Sequence, residues 1–148
     1  MRLLAIAGLI VAEIRSLPGA QPPDPDVATI VESGSTNRAG FRIVVDRSGL
    51  AEFTPIPRKY GESPEETKPY RLMLPSAAFR RLQADLAAAR PFTSLPQVHC
   101  MKSASFGSTL IVESSGEHTP DLSCGDNGHA PLGNLIRDVG EIVALFHN

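Results

Sequence analysis

The chain contains no tryptophan, and aromatic residues of all kinds make up only 5% of its 148 residues. Its core must therefore rest mainly on leucine, isoleucine, valine and alanine. Neither sign of charge dominates: 14 Lys and Arg stand against 16 Asp and Glu, a formal net charge of −2. Because nucleic-acid binding needs a basic face that neutralises several phosphates, this balance argues against a nucleic-acid partner.

The sequence also lacks the short motifs of common active sites, such as the Gly-x-Ser-x-Gly elbow, the phosphate loop or the His-Glu-x-x-His zinc helix. His118, Asp121 and Ser123 are the residue types of a serine triad. On a predicted strand over 118–123 we expect Asp121 to point away from Ser123, with His118 directed at neither. We predict no catalytic residue, no cofactor and no metal site. A small hydrolase whose site is assembled from distant residues is the enzymatic alternative.

Long apolar runs are missing too, since a bilayer span needs about 20 such residues. The run after Met1-Arg2 covers 3–12, the length of a signal-peptide core, and small residues follow at Gly19-Ala20. We predict an exported protein, secreted or periplasmic, with no membrane span once the signal is removed. The predicted organisation is a signal peptide over 1–20, a Pro-rich linker over 21–27 and a single domain over 28–148. The alternative for 1–20 is an amphipathic helix packed on the domain, because Glu13 and Arg15 interrupt the run.

Only two cysteines are present. In an oxidising compartment such a pair is usually a disulfide, so we predict a bond between Cys100 and Cys124. It would close a loop of about 25 residues and stabilise the fold by roughly 3 kcal/mol. The alternative is a metal site formed with His99 and His129, although zinc ligands are more often spaced as paired knuckles.

Hydrophobic periodicity predicts an α+β domain of order ββββ-α-ββ-α. We expect an antiparallel sheet of about six short strands, with two amphipathic helices packed on one face. The predicted strands are 28–33, 41–46, 50–54, 70–74, 109–113 and 118–123, and Pro120 places the last at an edge. The predicted helices begin at Ser76 and Pro131. In the second helix the residues expected away from the apolar face are Asn134, Arg137, Asp138 and Glu141.

Two connections attract attention. The segment 55–69 is rich in proline and charge, which predicts a long exposed loop. From this loop and the first predicted turn we name four candidate contacts with a protein partner: Arg38, Arg58, Lys59 and Tyr60. The segment 126–129 precedes the second helix, and we interpret it as a turn in preference to an anion site at the helix N-terminus.

Residues 37–49 and 74–92 resemble the emfourin family, in its opening hairpin and in its central helix with the aromatic residue that follows. The closing hairpin and helix come in the same order, so the likeness extends over most of 28–146. The family contains small protein inhibitors of thermolysin-type metalloproteases, and the resemblance implies a protease-binding module. Ser33-Gly34-Ser35 stands where the family has Gly-Gly-Phe. The signal peptide, the disulfide and the segment 55–69 are further departures, so no inhibitory residue is transferred.

The leading hypothesis is therefore an exported, non-enzymatic binding domain that presents rigid loops to a protein, conceivably as a protease inhibitor. A disulfide and several prolines would pre-organise such loops and lower the entropy lost on binding. The non-enzymatic alternative is a structural domain associated with the cell envelope.

Overall fold

The computed structural model describes residues 27–58 and 68–147. The predicted signal peptide, the linker up to residue 26, and the candidate contacts Lys59 and Tyr60 lie outside the described residues. The described elements are β1 (Ala28–Glu32), β2 (Gly40–Val45), β3 (Leu50–Ile56), β4 (Tyr70–Met73), α1 (Ser76–Ala88), β5 (Leu110–Ser114), β6 (Glu117–His118) and α2 (Ala130–Leu145), with short 3-10 turns at Phe92–Ser94 and Leu122–Cys124.

The strands form one six-stranded sheet in the order β4-β3-β2-β1-β5-β6. All of its pairings are antiparallel, and Ile30 of β1 lies between Ile43 of β2 and Val112 of β5. Two helices complete the α+β fold, which confirms the predicted class. Among the described residues no helix is long and apolar enough to cross a membrane.

The core lies between the helices and one face of the sheet. Strand alternation turns Ile30, Ile43 and Val112 toward the helices, and each is completely buried. The helices bury their apolar stripes against these residues, mainly through Leu82, Leu86, Leu132, Leu135, Val139 and Ile142. The opposite face carries exposed Arg42 and Glu113, whose side chains approach to 3.9 Å.

Strand β3 continues through Pro55 to Ile56, two residues past the predicted end. Proline has no N–H, so it is tolerated in a strand where one neighbour is missing. Strand β4 pairs with β3 only between Leu50 and Phe53, so Pro55 lies beyond the paired stretch.

The predicted strand 118–123 was wrong beyond His118. The chain still runs beside β5, but side chains take over from the backbone as hydrogen-bond acceptors. Val112 N–H donates to Thr119 Oγ1 at 3.0 Å, and Leu110 N–H donates to Asp121 Oδ1 at 3.0 Å. With these acceptors supplied by side chains, the backbone is free to turn into the 3-10 helix at Leu122–Cys124.

The prediction for α2 was wrong at Asp138, which is only 2% exposed. Helix α1 packs against that side of α2 and covers a position that an isolated helix would give to solvent. Asp138 Oδ1 lies 3.5 Å from Arg81 Nε and 3.4 Å from Arg137 Nε. Among the described residues, its Oδ2 atom has no hydrogen-bond partner. Burial and the neighbouring carboxylate of Asp85 raise the pKa of Asp138, against the opposing effect of Arg137.

Candidate functional site

Two loops meet at one end of the sheet and are hydrogen-bonded to each other. Loop 33–39 joins β1 to β2, and loop 99–109 leads into β5. Both the side chain of Ser35 and the backbone N–H of Asn37 donate to the carbonyl of Ser105, at 2.8 and 3.1 Å. We call these two loops, together with Arg58, the loop rim.

Glu32 ties the two loops together from below. It is 5% exposed, at the end of β1. Arg38 from the first loop approaches its carboxylate at 3.1 Å, and the Ser108 hydroxyl from the second loop donates to it at 2.6 Å. The buried carboxylate of Glu32 thus has a cation and a hydroxyl donor as partners. Losing either of them would be destabilising, because the buried charge would be less well compensated.

Arg38 and Arg58, two of the four predicted contact residues, line the same groove at the edge of the rim. The groove encloses about 500 Å³, and its floor is a cluster of aromatic rings from Phe41, Phe53, Tyr70 and Phe146. The structure thus brings together the described half of the predicted contact set.

The aromatic cluster also ties the edge strand β4 to the end of α2. The Tyr70 ring lies 5.0 Å from Phe53 and 5.3 Å from Phe146, between ring centroids. The Tyr70 hydroxyl donates to the carbonyl of Phe146, the residue directly after α2. Burial raises the pKa of Tyr70, so the phenol stays neutral and keeps the proton that it donates. The groove therefore has an aromatic floor, and its lining also includes Arg58 and the ion pair between Arg38 and Glu32.

The predicted disulfide is confirmed. Cys100 and Cys124 are joined by an S–S bond of 2.06 Å with their Cα atoms 5.3 Å apart. The bond uses both thiolates of the alternative metal set, which leaves only His99 and His129. Across residues 27–58 and 68–147, no group of three metal-binding side chains is present. The bond fixes the start of loop 99–109 to the 3-10 turn that ends at Cys124.

Lys102, two residues after Cys100, also fixes loop 99–109. Its ammonium group donates to Asp121, to the Ser108 carbonyl and, at 2.7 Å, to the Ser123 hydroxyl. Burial acts to raise the pKa of Asp121, but hydrogen bonds from Lys102, Leu110 and Ser123 outweigh it and lower that pKa. Asp121 is thus a charged centre between the loop and the turn.

The expectation that Asp121 points away from Ser123 was wrong. The segment is a turn and not a strand, and the Ser123 hydroxyl donates to Asp121 Oδ1 at 2.7 Å. Residues two apart would share a face of a strand in any case. His118 uses Nδ1 in a 3.1 Å contact with the Thr119 carbonyl, and in the described part of the chain no hydrogen bond links it to Ser123. Asp121 and Ser123 therefore fix a turn, and with His118 they do not form a Ser-His-Asp triad.

The segment 126–129, directly before α2, forms a turn, as predicted. Asn127 and Gly128 both have positive φ, and the His129 N–H donates to the Asp126 carbonyl at 2.9 Å. His129 caps the helix by accepting from the Leu132 N–H at 3.4 Å. The Asp126 carboxylate lies over the first turn beside Gly133, so the chain supplies its own negative charge there.

Sequence reasoning missed the most exposed apolar side chains of the rim. Met101 is fully exposed, at 103% of its reference area, and Phe106 is 65% exposed. Both line a shallow depression that also includes Cys100 and Ser123. The available signal was a large apolar residue directly after a cysteine, in a segment otherwise made of Lys, Ser, Ala and Gly.

Comparison with known proteins gives no relative: no protein-family model matches the chain, and no curated protein shows significant similarity to it.

Proposed function

We propose that the chain is an exported, non-enzymatic binding domain that uses the loop rim to hold a protein partner, and that this partner is a thermolysin-type metalloprotease which it inhibits. One observation carries the proposal. Two loops distant in sequence are bonded to each other at one end of the sheet, and a disulfide anchors one of them.

The rim has the physical properties of a pre-organised contact surface. Backbone, hydroxyl and carboxylate contacts restrict both loops before any partner arrives, so less conformational entropy is lost on binding. The side chains that it presents include arginine, methionine and phenylalanine, which are enriched in protein–protein interfaces.

The export and the protease rest on separate support. A disulfide in a small domain is typical of an oxidising compartment and so favours secretion or the periplasm. The choice of partner rests on the resemblance to the emfourin family. That resemblance lies in residues 37–49 and 74–92 of the sequence.

The direct test is a titration of thermolysin with the oxidised protein. We expect saturable inhibition at a near-stoichiometric ratio. Arg58→Ala, at the groove, should weaken inhibition, whereas Arg80→Ala on the exposed side of α1 serves as the matched control and should leave it unchanged. Steady digestion of the protein, or indifference of the protease, would contradict the proposal.

A further inference from the structure

The backbone of Met101 lies between two fixed residues, whereas its side chain is exposed. Its neighbour on one side, Cys100, is bonded covalently to Cys124. Its neighbour on the other side, Lys102, is bound to Asp121, Ser108 and Ser123. Between these two anchors the Met101 side chain is entirely exposed to solvent.

Burial statistics make this arrangement informative. Methionine is among the residues most often found inside proteins, and scattered surface examples need no explanation. Here, however, Phe106 of the same loop is also 65% exposed and lines the same depression. Two large apolar side chains thus project from one restrained loop of otherwise small and polar residues.

We propose that Met101 is the anchor residue of the loop rim and inserts into an apolar pocket of the partner protease, with Phe106 packing at the mouth of that pocket. This inference rests on the proposed function and names the residue that gives it affinity. Binding affinity commonly depends on a few large side chains that fill pockets, surrounded by contacts that exclude water. An anchor held between two fixed neighbours loses little backbone entropy when it enters such a pocket.

The pocket must be apolar and must accept an unbranched side chain. Methionine has no strong donor or acceptor, so it gains affinity from a pocket by leaving water. Complete burial of such a side chain corresponds to roughly a ten- to hundredfold gain in affinity. We do not expect Lys102 to add comparable affinity, because its ammonium group already donates to Asp121 and Ser123.

The test compares two exposed methionines in the thermolysin titration. Met101→Asp should raise the inhibition constant roughly ten- to hundredfold, and Met101→Leu should retain most of the inhibition because its volume and polarity are similar. Met73→Asp is the matched control, since Met73 is 61% exposed on β4, away from loop 99–109. Thermal unfolding of all three variants, measured in parallel, should show that none of them loses the fold.

The outcomes separate this inference from the proposed function. If wild-type protein inhibits and Met101→Asp inhibits equally well, the anchor assignment is overturned while the proposed function stands. If Met101→Asp and Met73→Asp lose inhibition to the same extent, added charge is the cause and the assignment is again overturned. If wild-type protein does not inhibit at all, the proposed function and the anchor assignment are both overturned. A wild-type dimer in sedimentation that Met101→Asp dissolves would assign the side chain to a second copy and overturn the choice of partner.

Discussion

At the scale of single residues, the backbone around Gly40 leaves no room for a side chain. A Cβ atom at this position would lie 2.3 Å from the Glu32 carbonyl oxygen and 2.7 Å from the Gly34 nitrogen. Gly34 has a φ of +66°, a conformation that favours glycine. The two glycines allow loop 33–39 to close tightly, and that closure places Arg38 beside Glu32.

Gly40→Ala should therefore lower the free energy of unfolding by about 1–3 kcal/mol, because backbone atoms cannot move aside as a flexible side chain would. The matched control is Gly140→Ala on α2, where a Cβ meets nothing within 4 Å. That change should raise stability by about 0.5–1 kcal/mol, since alanine is the better helix former. Urea denaturation of both variants measures the difference. Equal effects of the two substitutions would mean that the backbone contact at Gly40 is unimportant.

At the scale of elements, the contact between α1 and α2 contains a buried charge that responds to pH. Asp138 faces Arg81 and Asp85 of α1 and Arg137 of its own helix. Its folded pKa is raised above the ordinary value of 3.8. The folded protein therefore binds this proton more tightly than the unfolded chain. The resulting stability is fully present below pH 3.8 and is lost as the pH rises through the higher folded pKa.

Asp138→Asn removes this titration and resembles the protonated form. We expect the variant to be more stable than wild type at pH 7, and its free energy of unfolding to change less with pH just above 3.8. Glu141→Gln is the control, because it removes an exposed carboxylate from the same helix and should change stability by no more than about 0.5 kcal/mol. Urea denaturation at several pH values provides the comparison. A pH dependence identical to wild type would show that the pKa of Asp138 is the same in the folded and unfolded states.

The elements differ in how far sequence could predict them. The strands β1, β2 and β3 and both helices were predicted because their apolar spacing is local and regular. The end of the last strand at His118 was not predicted. After it, the side chains of Thr119 and Asp121 accept the hydrogen bonds that backbone carbonyls would accept in a strand, and this exchange does not change the spacing of apolar residues in the sequence. The burial of Asp138 also escaped prediction, because it depends on where α1 packs, and the pattern of α2 alone carries no such information.

The candidate site was predictable only in part for the same reason. The disulfide followed from the two cysteines and the predicted export, and Arg38 and Arg58 do share a groove. The joining of loops 33–39 and 99–109 depends on the pairing of β1 with β5, a contact between distant parts of the chain. Without that pairing, the sequence marks Met101 only as a large apolar residue directly after a cysteine and does not place it beside loop 33–39.

At the scale of the whole molecule, one covalent bond links the stability of the domain to the order of the rim. Replacement of Cys100 and Cys124 together by alanine should lower the free energy of unfolding by about 3 kcal/mol, given a separation of 24 residues. Denaturation with and without a thiol reductant measures this loss. Reduction should lower the free energy of unfolding of wild-type protein, whereas it should not change that of the double variant. If reduction leaves wild-type stability unchanged, loop 99–109 is held by its noncovalent contacts alone.

The order of the strands has a consequence for aggregation. An unpaired strand edge is a template on which another chain can add, and long flat edges are the most dangerous. In this sheet the outermost described strands, β4 and β6, are the two shortest, with four and two residues. The longer strands all lie inside, and each pairs with a neighbour on both sides over at least part of its length. A neighbouring molecule therefore finds little regular backbone to extend, so a domain with exposed apolar side chains at Met101 and Phe106 has little tendency to join copies of itself edge to edge.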